Sequence, residues 1–187
     1  MTKKVVVLTV SESKRLIAKG VANLDIIKKA LERGMIAIAK GTTNGYVVEE
    51  LLNKRIDKTA HVLGRVLPEK MENAYNFSPL MKDIVLEDGK LIDTFVIEAV
   101  HHMGENDIFI KGCNILNYEK KIAGVLKSGA SGGTIGATIE VIKRDKINLV
   151  LPVGLEKSSS SDVYSIHKEL EEGVTWRGSL LRLVPLT

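Results

Sequence analysis

The chain reads as an α/β domain: a three-layer, mostly parallel sheet with helices on both faces in the Rossmann-like manner, plus a small β-hairpin. Three observations predict this. Apolar, β-branched runs alternate with segments of helical periodicity. The runs at 35–39, 108–110 and 122–126 are continuously apolar, as in strands buried on both faces. The first and third empty into Gly/Ser/Thr loops and are followed at once by helical patterns. Such a junction gathers free backbone N–H groups and a positive helix end at one spot, which suits phosphate or another anion.

The elements follow in chain order. Residues 4–10 read as a short buried strand or an extended lead-in. Ser11 is a plausible N-cap with Glu12 in the first turn, opening a helical stripe (Leu16, Ile17, Leu24, Ile27, Leu31) over 11–33 that Gly20 divides and Gly34 closes. The strand at 35–39 leads to a helix whose apolar face is Tyr46, Val47, Leu51 and Leu52, with Glu49 and Glu50 opposite. Residues 61–79 show no clean period and suggest loop, with one strand near 62–66. Asp88-Gly89 between two short apolar runs signals a hairpin over 84–92 with a type I′ turn. Phe95, Val96, Ala99, Val100 and Met103 have the spacing of a crossover helix before the strand at 108–110. A strand at 122–126, a helix over 134–144 striped by Ile135, Ile139 and Ile142, and a strand at 147–151 ending at Pro152-Val153-Gly154 follow. The Ser158–161 run is a polar loop, a lid or a plain surface segment; 163–172 is helical and 176–186 closes the chain as an edge strand.

Length and composition bound the rest. At 187 residues the chain is one domain, 1–187, with a hairpin or insert around 61–92. Apolar residues make up 44% but aromatics only 4%, so Val, Ile, Leu and Ala must build the core. The net charge of +4 is spread along the chain with acids interleaved, which argues against a nucleic-acid surface and still attracts anions weakly. Cys113 is the one cysteine, so no intrachain disulfide forms and a cytoplasmic, reducing setting is expected. The apolar run at 5–8 is too short for a secretory signal, and no stretch approaches membrane-span length, so no membrane partner is expected.

In open α/β sheets ligands bind beyond the carboxyl ends of the strands, so the loops should converge there. Lys40, Gly41, Thr42, Thr43 and Asn44 form the first candidate ligand loop. Gly112 belongs to the second, Lys111-Gly112-Cys113-Asn114, where Lys111 could neutralise an anion. Cys113 would be a nucleophile only if its thiolate were stabilised there; a half-buried small residue is the plainer reading. Ser128, Gly129, Ser131, Gly132, Gly133 and Thr134 form the third, which has neither dinucleotide-fingerprint nor P-loop spacing. Adjacent His101 and His102 diverge by about 100° on a helix, so no metal site is predicted, and no cofactor is expected. Glu105 and Asp107 precede a strand and read as solvated; Glu98 could act as acid or base if its helix reached the crevice.

Segments 13–19 and 35–51, with the loop Gly41-Thr42-Thr43-Asn44, resemble the opening helix, strand and phosphate loop of the superfamily of ribose-5-phosphate isomerase, glucosamine-6-phosphate deaminase and CoA-transferases. Residues 106–114 resemble the isomerase strand that ends in Asp-Gly-Ala-Asp, with Lys111 and Asn114 in place of the two aspartates. Gly104-Glu105-Asn106 matches a CoA-transferase nucleophile motif in letters only. The resemblance implies a phosphorylated or otherwise anionic small-molecule ligand (sugar phosphate or CoA-like), and isomerase or transferase chemistry with Lys111, Asn114 or Glu98 as actors. A non-catalytic ligand-sensing or assembly subunit on the same fold is the alternative, motivated by the replaced aspartates, with a homo-oligomer left open.

Overall fold

The computed structural model describes residues 5–62, 79–128, 132–173, 175–176 and 179–186. Thr9 caps α1 (Val10–Ala22) in a reciprocal box with Glu12, so the cap lies two residues before Ser11. The helical stripe breaks at Asn23 and Leu24 rather than at Gly20, giving α2 (Asp25–Glu32). Residues 5–9 are extended but outside any sheet, and Val5 and Val7 are 94% and 93% exposed, which corrects the expected buried strand.

β1 (Met35–Ile38) leads to α3 (Thr42–Leu52). β2 (Ile84–Glu87) and β3 (Lys90–Ile92) form the expected hairpin, with Asp88 and Gly89 at φ 47° and 72° as a type I′ turn requires. The expected crossover helix shrinks to α4 (Val96–Ala99) and a 3₁₀ turn, Val100–His102. Next come β4 (Ile108–Ile110), β5 (Ile115–Asn117), β6 (Ile122–Ser128), α5 (Gly133–Arg144), β7 (Asn148–Val150), a 3₁₀ turn at Leu155–Lys157, α6 (Val163–Glu171), β8 (Thr175–Trp176) and β9 (Ser179–Leu186). The strand expected near 62–66 falls mostly outside the described residues.

Two sheets replace the single mostly parallel one. The larger runs β3-β2-β1-β4-β7; only β1–β4 and β4–β7 are parallel, and the hairpin adds antiparallel pairs to β1. The smaller, β5-β6-β9-β8, is antiparallel throughout. The Rossmann-like reading fails for a physical reason. A parallel crossover needs roughly a dozen residues or more, and the link from β5 to β6 is far too short, so β6 turns back on β5. Segment 179–186 is also no edge strand: β9 lies between β6 and β8.

Alternation along the strands sorts the core. Ile36, Ile38, Ile108 and Ile110 face α1, α2 and α3, while Ala37, Val85 and Phe109 face α4 and α5. Ile135 and Ile139 of α5 pack against Ala123 and Val125 of β6, while Ile122 and Leu183 face α6. Helix α5 is therefore shared by both sheets. Asp107 is half-buried and engaged rather than freely solvated: it accepts the N–H groups of Met35, 2.6 Å, and Gly104, 2.8 Å, and fastens the amino ends of β1 and β4 together. The Ser158–161 run is tied down as well, with Ser159 N–H donating to Leu116 O and Asn117 Nδ2 to Ser161 O.

Candidate functional site

The three parallel strands end in register: Ile38 pairs with Ile110, and Ile110 with Val150. Their exits at Ala39, Lys111 and Leu151 share one rim, closed by Ala39 N–H to Ile110 O and Lys111 N–H to Val150 O, both 3.0 Å. Helix α3 starts at this rim because it follows β1 directly. Helix α5 also points its N-terminus here, because residues 145–147 are too few to do anything but return its far end to the start of β7. Gly132 and Gly133, at φ 67° and 62°, make that start a left-handed turn, and the stem of Lys127 lies over Gly132.

The first and second loops meet at this rim, and several of the expected residues have structural duties. Lys40 is ion-paired with Asp83, whose other oxygen accepts Val96 N–H. Thr42 accepts a hydrogen bond from Lys14 Nζ, 3.1 Å. Thr43 is buried, as is Asn44, which spans two strand ends by donating to Ala39 O, 2.8 Å, and Ile110 O, 3.4 Å. Asn114 accepts Leu126 N–H through Oδ1, 2.9 Å, and so braces β6. Glu98 is exposed and caps its own helix through Thr94 and the Phe95 N–H. Gly129 and Ser131 lie outside the described residues; Ser128 ends β6 and Thr134 sits in the first turn of α5.

The second loop is the chemically distinct one. Alternation puts Lys111 on the Phe109 side of β4, the side covered by α5. Its Nζ donates to Gly112 O, 3.3 Å, while Lys157 Nζ donates to the neighbouring Cys113 O, 2.5 Å. Neither lysine forms an ion pair among the described residues. Burial, then the Lys157 charge, pulls the Lys111 ammonium below its ordinary pKa, against the opposing pull of Cys113. Burial pushes the Cys113 thiol up, and the two lysines fail to offset it. Cys113 is thus a buried thiol rather than an activated thiolate.

His61 and Lys157 carry no signal in the sequence. His61 is fully buried, its backbone carbonyl accepts Gly41 N–H, 2.8 Å, and neither ring nitrogen has a hydrogen-bond partner. Burial, then the Lys40 charge, lowers its pKa to about 4 despite Asp83. The Oδ1 of Asn44 is likewise buried and unpartnered. Lys157 sits in a short 3₁₀ turn with no pattern to mark it.

Two open clefts lie apart from the Lys111 loop. One, about 420 Å³, runs between α1 and α3 beside Arg15, Glu49 and Arg55; the other, about 350 Å³, lies along the outer hairpin beside Asp83 and Asp93. Among the described residues no His, Cys, Asp and Glu group could hold a metal, and no helix is long and apolar enough to cross a membrane. Comparison with family models, curated proteins and solved structures returns no match to this chain.

Proposed function

We propose that this protein binds a phosphorylated or otherwise anionic small metabolite, a sugar phosphate or CoA-like compound, at the rim beyond β1, β4 and β7, and acts on it as an isomerase or transferase. The observation that supports this reading is the lysine pair of the second loop. Lys111 and Lys157 are held on adjacent carbonyls, half-buried and without a carboxylate partner among the described residues. The Lys157 charge raises the cost of charging Lys111, and an anion between them would relieve it. The N-terminus of α5 adds backbone donors and a favourable dipole. The resemblance to the isomerase, deaminase and CoA-transferase superfamily supports the ligand class.

The alternative, a non-catalytic sensing or assembly subunit, is favoured by one specific observation: Asn114 and Glu98, the expected acid–base actors, are engaged with backbone groups. The exposed run Val5, Val6 and Val7 is compatible with a homo-oligomer, and the free Cys113 with a cytoplasmic setting.

A thermal-shift panel of ribose 5-phosphate, glucosamine 6-phosphate and CoA esters tests the binding. Stabilisation by at least one is expected, on the order of 2.7 kcal/mol at a hundredfold excess over Kd, and Lys157→Met should abolish it. A flat response to every phosphorylated compound overturns the reading. Turnover of the stabilising compound decides between enzyme and sensor.

A further inference from the structure

We propose that Lys111 is a reactive amine that forms a Schiff base with an aldehyde or ketone, so that the rim ligand carries a carbonyl as well as its anionic group. This rests on the binding reading above. The side chain is half-buried, so it is partly withdrawn from water yet reachable. Its Nζ makes one long hydrogen bond, to Gly112 O, and no ion pair among the described residues. The other groups around this turn are the Lys157 ammonium on Cys113 O, the Cys113 thiol, Lys127 over Gly132, and Glu156, whose carboxylate lies over Gly154 and bears on Cys113. Lys82 and Lys120 illustrate the ordinary case, in which an exposed ammonium sits against a carboxylate. A desolvated lysine beside a second cation is in the opposite situation: its neutral amine is favoured, and a neutral amine is the nucleophile. Burial and the Lys157 charge both act in that direction here.

The step balances within these residues. The Lys111 nitrogen lone pair adds to the carbonyl carbon and the proton lost from nitrogen passes to the carbonyl oxygen, giving a carbinolamine. The C–O bond then breaks and the hydroxyl leaves as water with a proton from the Lys157 ammonium. The product is a protonated imine on Lys111, and Lys157 regains its proton from solvent. No oxidant or reductant is consumed.

Pyridoxal 5′-phosphate is a suitable probe because it carries both an aldehyde and a phosphate. The full chain is incubated with it at neutral pH, reduced with sodium borohydride, digested and mapped by mass spectrometry, with melting temperature read in parallel. Lys111 is expected to be labelled several-fold faster than exposed lysines, because burial and the Lys157 charge leave more of it as free amine. Lys157→Met, its fold checked by circular dichroism, should slow Lys111 labelling at neutral pH and move its pH profile to higher pH. Pyridoxal without the phosphate should label more slowly. Stabilisation by the probe without an adduct on Lys111 overturns the Schiff base and leaves the binding site standing. Adducts spread over exposed lysines, or a Lys111 pH profile unmoved by Lys157→Met, overturn it as well. Neither stabilisation nor adduct overturns this inference and the binding reading together.

Discussion

Glu49 is met by three cations, Arg15, Arg55 and Lys58. Its carboxylate is buried and accepts from Arg15, from Lys58 at 2.7 Å and from the Ile56 N–H at 3.1 Å. Arg15 and Lys58 each lie 4.8 Å from the centre of the Tyr46 ring. Burial raises the pKa of Glu49, but these bonds and the Lys58 charge outweigh it and bring the value to about 2. A carboxylate depressed from 4.5 contributes stability that is complete above 4.5 and lost as pH falls toward 2, on the order of 3 kcal/mol. Glu49→Gln should cost about 2–3 kcal/mol at pH 7, below the range of a fully buried pair because the cations reach water; urea unfolding measures it. His61 acts in a neighbouring window. It is depressed from 6.5 to about 4, so it favours the fold above 6.5 and its contribution fades as pH falls to 4, again on the order of 3 kcal/mol. His61→Leu should leave stability at pH 7.5 nearly unchanged, since an apolar replacement leaves no orphaned polar atom, and should flatten the pH dependence between 6.5 and 4. A slope that persists in the variant would sink this account. The sequence placed Glu49 on the helix side opposite the apolar face and was silent on His61. Helical spacing shows which side a residue occupies, and not that Arg15 and Lys58 arrive there from other segments.

At the scale of elements, the turn of the hairpin does more than reverse the chain. Gly34 N–H donates to Asp88 Oδ1, and Asp88 N–H to Gly34 O, both at 2.9 Å, so the turn docks on the end of α2. A Cβ on Gly89 would lie 2.9 Å from Leu31 O, at a φ of 72° that favours glycine. Gly89→Ala should therefore destabilise by about 1–3 kcal/mol, seen as a lower denaturation midpoint at unchanged slope. An unchanged midpoint would mean that the turn relaxes freely. The start of α1 gives a smaller test. Thr9→Ala removes the cap to Glu12 and should cost about 1 kcal/mol. Both features are local, and the hairpin was readable in the letters Asp-Gly. The cap was misplaced by two residues because Ser11 and Thr9 have equal chemical claim to the role.

For the whole molecule, α5 is the element that joins the two sheets. Its stripe serves both sheets, through Val125 and Leu186 on one side and Leu149 and Leu151 on the other. Neither sheet keeps its core without this helix, so the two should unfold together. Fluorescence of Trp176, on β8, and far-ultraviolet circular dichroism should give coincident urea transitions. Separate midpoints would show two independent units. The same sharing packs a helix that follows the smaller sheet against the larger sheet as well.

By itself the sequence determined several strand cores and the hairpin, because these follow from apolar runs and turn chemistry. Only the tertiary structure decided which strands pair, and it split an expected parallel sheet into a mixed one and an antiparallel one. It also decided which polar residues are engaged: Lys40 by Asp83, Asn114 by Leu126, and Lys111 by no carboxylate among the described residues. Strand pairing and charge pairing both depend on partners far apart in the chain, and residue order alone does not carry that distance.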